Sequence, residues 1–315
     1  MGGGSWSSGA WQNYASQNVQ GKTRSQVFSS ARLNEAVDPH KFTNGLRESV
    51  DSPDNPNSTP VAIFTDCTGS MGALAEVVVR KLDTVCEELL ARSPVSDVHL
   101  MTGVVGDAYT DSAPFQATQF EADIRIAQQT QLLWLEGNGG GNGGESYALP
   151  WLSMAMQTAT DSFDKRGKKG YLFTVGDEGI HGVEGARGHE FGVTKEQAER
   201  VLGLTIERDL TAAEILALVE QRWNVYHVVI ETGRRADIES SWVKLMPDRL
   251  LYLEANNIEL LPELIVSTIE FNEGKDKAAV AASWSGATSV VVSNAMRDLA
   301  TRSAPNAAAG EVIAL

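Results

Sequence analysis

Short apolar runs that alternate with segments of helical periodicity constrain this chain more than any other feature. Val61–Thr65, Val98–Val105, Tyr171–Val175, Val225–Ile230 and Leu250–Leu253 each read as a buried strand. Between them, Leu74, Val77, Val78, Leu82, Val85, Cys86 and Leu89 recur at steps of three and four, one face of a helix. Phe120–Leu135, Ser146–Ala159, Thr194–Leu202, Thr211–Arg222 and Ile258–Ile269 read as further helices, and Thr211 with Glu214 forms a capping box. Strands separated by helices make crossover units and a parallel sheet. The predicted fold is α/β: a doubly wound, mostly parallel sheet with helices on both faces. Sites in such sheets collect at the carboxyl ends of the strands.

The flanks lack this pattern. Residues 1–57 are rich in Gly, Ser and Asn and read as a loose N-terminal arm, with Trp6, Trp11 and Tyr14 as apolar exceptions. The turn formers of Asp51–Pro60 mark a boundary before a domain over 58–272. Residues 273–315 form an Ala/Ser-rich tail that carries Trp284 and Val290–Val292. The chain has 26 Lys+Arg against 41 Asp+Glu, a net charge of −15, which argues against wrapping nucleic acid or an anionic membrane. No apolar run reaches the roughly 20 residues that span a bilayer. The N-terminus lacks the basic-then-apolar order of a secretory signal, so the expected location is the cytoplasm, or a virion if the protein is a phage component. Cys67 and Cys86 form no disulfide framework and no CxxC.

The first strand closes on Asp66-Cys-Thr-Gly-Ser-Met-Gly72. Asp66, Thr68 and Ser70 alternate along one strand-to-helix turn, which aims a carboxylate and two hydroxyls to one side. Hard cations take such oxygen ligands. Asp-x-Thr-x-Ser at the end of a buried strand resembles the metal-ion-dependent adhesion site of von Willebrand factor type A domains. The resemblance covers roughly residues 59–271 and implies a doubly wound α/β fold. It also implies an Asp after a later strand, matched by Asp177 in Val175-Gly-Asp-Glu178, and a Thr or acidic ligand in a Gly-rich loop. The loop here, Glu136 to Ser146, has no Thr; Asn142 is the nearest substitute, Glu145 a supporting partner, and Asp107 a neighbour on the same rim. The implied metal ligands are therefore Asp66, Thr68, Ser70, Asp177 and Asn142, holding Mg²⁺ (or Mn²⁺ or Ca²⁺).

Other segments, Arg47-Glu-Ser49, Asp51–Ser58 and Lys165–Phe173, resemble a bacterial and phage group of stand-alone type A domains. The implied task is cation-dependent protein binding without enzyme activity. A partner would supply an Asp or Glu to the metal, and a MoxR-type AAA+ ATPase is a partner the family suggests. An alternative is an assembly protein of a phage particle or bacterial complex, forming oligomers through arm and tail. A metal hydrolase is the third reading; its base would come from the His181/His189 stretch, which otherwise reads as a solvated loop. The literal GxGxxG of Gly139–Gly144 follows a helical segment rather than a strand, and no GxxxxGK[ST] exists, so no nucleotide cofactor is expected. Cys67 alternates away from Asp66 and Thr68 and reads as a buried structural thiol. Lys165–Lys169 reads as a solvated turn.

Overall fold

The computed structural model describes residues 3–137, 142–233 and 235–300, without the side chains of 70, 72, 73, 75, 79, 235 and 237. Its strands are β1 (Arg47–Ser49), β2 (Thr59–Asp66), β3 (Val98–Val105), β4 (Phe115–Ala117), β5 (Thr158–Thr160), β6 (Gly170–Gly176), β7 (Trp223–Glu231) and β8 (Leu250–Glu254). Six of them form one sheet in the order β4-β3-β2-β6-β7-β8; only β4 runs antiparallel to its neighbour. This is the expected doubly wound α/β sheet.

Both faces are covered, so every residue of β2 is buried. The two-residue strand period sends alternate side chains to opposite layers. Val61 and Ile63 join Leu74, Val78 and Leu82 in one layer, while Ala62 and Phe64 join Leu149, Trp151 and Trp242 in the other. Each fully buried Val, Ile, Leu or Phe side chain among them contributes roughly 1.5–3 kcal/mol relative to exposure.

Three expected helices come out differently. The Leu74–Leu89 face is carried by two helices, Gly72–Arg80 and Leu82–Arg92, which meet at Lys81. Only Arg125–Thr130 of the segment 120–135 is helical. There the Gln116 amide donates to Trp134 O and accepts from Trp134 N, both at 2.8 Å, which occupies backbone groups that a helix would use. The helix after the Gly-rich loop, Ala148–Met156, stops before Thr158–Thr160, whose β-branched threonines pair in parallel with β1.

The N-terminal segment is folded, contrary to the loose arm expected from its composition. Ser7 caps a helix over Ser8–Asn18 by accepting from the Ala10 N–H at 3.3 Å. Trp11, Ala15 and Val19, four residues apart, enter the core with Val27, Phe28 and Val37. The buried Arg47 guanidinium donates to Ala117 O at 3.2 Å and lies 3.9 Å over the Phe42 ring. Farther on, Arg166 grips the Asp51 carboxylate at 2.7 and 3.1 Å, so the 165–169 turn is part of this clasp.

The tail docks as far as it is described. Helices Lys277–Ala282 and Gly286–Ala295 bury Val280, Ala281, Val292 and Ala295. Trp284 donates to Ser267 Oγ at 2.7 Å, and the Arg92 guanidinium lies 3.4 Å over its ring. Residues 301–315 lie outside the described residues.

Candidate cation centre

The chain runs from β2 outward to β3 and later returns to β6 on the other side of β2. That reversal opens a crevice above the carboxyl ends of β2 and β6. Asp66 is the last residue of β2, and Asp177 follows the last residue of β6.

Asp66 is fully buried. Its Oδ1 accepts from the Thr68 N–H at 2.7 Å and the Thr68 hydroxyl at 2.6 Å, and its Oδ2 accepts from the Tyr147 hydroxyl at 2.9 Å. Burial pushes the Asp66 carboxyl up to about 7, with the Asp177 charge adding to the rise and the Thr68 and Tyr147 bonds opposing it. Gly176 makes room for this arrangement: a Cβ there would lie 1.8 Å from the Tyr147 hydroxyl oxygen and 3.0 Å from Asp66 Cβ. The Tyr147 ring is held in turn by His227, edge-on at 5.0 Å, and by Trp242 at 5.3 Å.

Asp177 is buried and accepts from the Thr232 hydroxyl at 2.7 Å, just past the end of β7. The structure therefore brings Asp66, Thr68 and Asp177 to one crevice. The Ser70 side chain and residues 138–141 of the Gly-rich loop lie outside the described residues. Asn142 stands on the neighbouring rim: its amide nitrogen donates to Asp107 Oδ2 and lies 3.5 Å from His189 Nε2.

Glu145 has no side-chain exposure, and neither carboxyl oxygen has a hydrogen-bond partner. Its backbone is fixed on both sides, donating to Gly179 O at 2.9 Å and accepting from the His181 N–H at 3.3 Å. Burial first, then the charges of Asp66, Asp107 and Asp111, push the Glu145 carboxyl up to about 10; the nearby Thr68 hydroxyl, whose proton goes to Asp66, opposes this only weakly. The sequence signal was present but faint: an acidic residue at the end of the Gly-rich loop, directly before an apolar helix.

On the β3 side, Asp107 accepts from the Tyr109 N–H at 3.1 Å and the Thr110 hydroxyl at 3.2 Å. Its N–H donates to Asp111 Oδ2 at 2.8 Å, an approach open only because residue 106 is Gly. His181 is fully buried, unlike the solvated residue expected there. Its Nε2 lies 3.4 Å from Asp107 Oδ1 and its Nδ1 accepts from the His189 N–H at 3.2 Å, so both ring nitrogens are engaged. His189 stacks on Tyr109 at 3.4 Å between ring centres. Burial, with His181 beside it, lowers the His189 pKa. Cys67 is buried, and burial raises its thiol well above the usual range. Among the described residues, no three His, Cys, Asp or Glu side chains converge to hold a metal ion by themselves.

No protein-family model and no curated protein matches this chain. Among solved structures, the pilus adhesin SpaC from Lactobacillus rhamnosus GG in its open conformation aligns with a TM-score of 0.42 at 13% identity, over 68% of this chain and 30% of the adhesin. A second form of SpaC gives 0.43 at 11% identity, over 69% and 31%. A von Willebrand factor type A protein from Catenulispora acidiphila gives 0.36 at 14% identity, over 70% and 44%. This chain spans less than half the length of each of them. Its own topology is a mostly parallel, doubly wound sheet whose inner strand β2 ends in Asp66-x-Thr-x-Ser, a von Willebrand factor type A-like fold.

Proposed function

We propose that the chain is a divalent-cation-dependent protein-binding module rather than an enzyme. The observation that carries this reading is Glu145: a wholly buried carboxyl with neither oxygen satisfied, close enough to Asp66, Asp107 and Asp111 to feel their charges. Leaving a buried polar group unsatisfied costs roughly 1–3 kcal/mol, and more for an ionised one. A hard cation relieves that cost, because oxygen ligands are what it requires.

Asp66, Thr68, Ser70 and Asp177 would hold the ion, with Glu145 in place of the loop ligand assigned above to Asn142. Because no three described carboxyls converge on one point, Asp66, Asp177 and Glu145 would not all touch the ion directly, and the Thr68 and Ser70 hydroxyls with water would complete its shell. When bound, Mg²⁺ or Mn²⁺ supplies a Lewis-acid position that an Asp or Glu of a partner protein can complete. A MoxR-type AAA+ ATPase is the partner class that the type A resemblance suggests.

Thermal melts with and without Mg²⁺ or Mn²⁺ test the reading. The ion should raise the melting temperature of the native protein and leave that of Asp66→Ala unchanged. Equal shifts in both would overturn it.

A further inference from the structure

A cavity of about 210 Å³ lies at the amino end of β3, the opposite end of the sheet from the cation centre. Trp6, Cys86, Leu89, Val98, Leu100 and Ile126 form its apolar wall. Burial pushes the Cys86 thiol up, so it stays an uncharged part of that wall. Ser5 and Trp6 close one side, and the residues before them are tied down. The Gly4 N–H donates to Asp54 Oδ2 at 3.1 Å, the Asn55 amide donates to Gly4 O at 2.8 Å, and the Arg125 guanidinium donates to Gly3 O at 2.6 Å.

The carboxylates around this wall are already engaged. Asp54 holds Gly4, Asp97 Oδ2 accepts from the Asn57 N–H at 2.7 Å, and Asp123 Oδ1 accepts from Arg125 Nε at 2.8 Å. Glu121 accepts from the Gln129 amide at 2.8 Å and pairs with Arg125 at 3.1 Å. Such groups offer little to a ligand cation and repel a ligand anion. Trp6 differs: its indole nitrogen is buried and has no acceptor among the described residues. A buried donor without an acceptor is costly to maintain.

We propose that this cavity binds a small, neutral, largely apolar molecule with one acceptor oxygen, which takes the Trp6 N–H. A cavity of roughly 150 Å³ holds benzene, so this one admits a benzene ring with a short polar substituent. The apolar wall supplies the burial, and the single donor supplies the orientation, the usual division of labour in a small-molecule site. The inference is independent of the protein-binding reading, because the cavity shares no residue with the cation centre.

The probe is para-fluoroacetophenone, titrated with the full chain by fluorine NMR. The para-fluoro forms of ethylbenzene, benzoate and benzylammonium are controls of similar size. The ketone should bind saturably, and the ethylbenzene about fivefold more weakly for want of one hydrogen bond. Both ions should bind more weakly still. Trp6→Phe keeps a ring and removes the donor, so it should bring the ketone down to the ethylbenzene level and leave ethylbenzene unchanged. Cys86→Leu should fill the space and abolish binding without lowering the melting temperature. No saturable binding of the ketone, equal binding of ketone and ethylbenzene, an intact ketone preference in Trp6→Phe, or full binding to Cys86→Leu would overturn the proposal. Tighter binding of the ammonium would show carboxylates open to a cation and would overturn it too. Chelation of divalent ions and the Asp66→Ala change should leave ketone binding intact; its loss there would assign the ketone to the cation centre instead.

Discussion

The Tyr147 hydroxyl donates to Asp66 Oδ2 over 2.9 Å, bridging the helix that follows the Gly-rich loop to the end of the inner strand β2. It lies where a methyl group on residue 176 would be. The bond favours the ionised form of Asp66 against the burial that disfavours it.

Tyr147→Phe should therefore raise the Asp66 pKa further while the ring keeps its packing on His227 and Trp242. The expected stability loss is about 1 kcal/mol, the net worth of one hydrogen bond. Gly176→Ala should cost more, about 1–3 kcal/mol or above, because it overpacks the same point. Carboxyl titration by NMR and urea melts check both; an unchanged Asp66 pKa in Tyr147→Phe would contradict the assignment.

The cation-free protein should lose stability as the pH rises from about 4 toward 10, most steeply below about 7, where both Asp66 and Glu145 contribute. Asp66 and Glu145 have folded pKa values of about 7 and about 10, above their ordinary 3.8 and 4.5. Over that window the folded state binds more protons than the unfolded state, so stability falls with rising pH. Below the ordinary values both states are protonated and this penalty vanishes. Asp51 acts oppositely: Arg166 holds its carboxyl low, and that stabilisation is lost only in strong acid. Melts in chelator from pH 5 to 9 should show the decline. A flat profile would mean that neither carboxyl is strained by burial.

Glu145→Gln should separate stability from binding. Without a cation it should stabilise the protein at pH 8 by about 1–3 kcal/mol, because Gln, unlike Glu145, takes up no proton on folding. With Mn²⁺ it should weaken calorimetric affinity by about tenfold or more, as loss of a charged ligand does. Asn142→Ala should change that affinity by less than about threefold, since the Asn142 amide nitrogen is tied to Asp107 on the neighbouring rim. The reverse order would place Asn142 at the ion and Glu145 away from it.

Removing residues 1–54 should unfold the domain or leave it poorly soluble. The truncation strips Trp11, Val27, Phe28 and Val37 from the core and deletes β1. Trp11→Ala alone should cost about 3 kcal/mol or more, as a large side chain leaves a cavity. Circular dichroism and melts of both variants measure this, and a native-like truncated protein would contradict it.

The inner strands were legible because burial on both faces leaves unbroken apolar runs, such as Val61-Ala-Ile-Phe64 and Tyr171-Leu-Phe173. Asp66 was legible as the polar residue that ends such a run, whereas Asp177 was reached through the type A resemblance, which implies an Asp after a later strand. β4 and β5 were not. Phe115-Gln-Ala and Thr158-Ala-Thr are three-residue strands whose identity comes from distant partners, not from local pattern. The helix near the N-terminus did carry a signal in Trp11, Ala15 and Val19, but polar residues between them hid it. Glu145 sits after a glycine stretch with no periodicity, and its place depends on the pairing with Ile180 across the crevice.

The clasp between the N-terminal segment and the 157–166 region also sets an order of events during synthesis. Asp51 N–H bonds Asp161 Oδ2 at a separation of 110 residues, and β1 has its partner only when β5 exists. At about 5–20 residues per second, a ribosome needs roughly 5–20 s to supply that partner. Through that interval Trp11, Val27 and Phe28 have no finished core to enter. The segment that carries these aromatics is thus secured only once residues about a hundred positions later exist, and until then it offers exposed aromatic surface that a chaperone or a premature contact can capture.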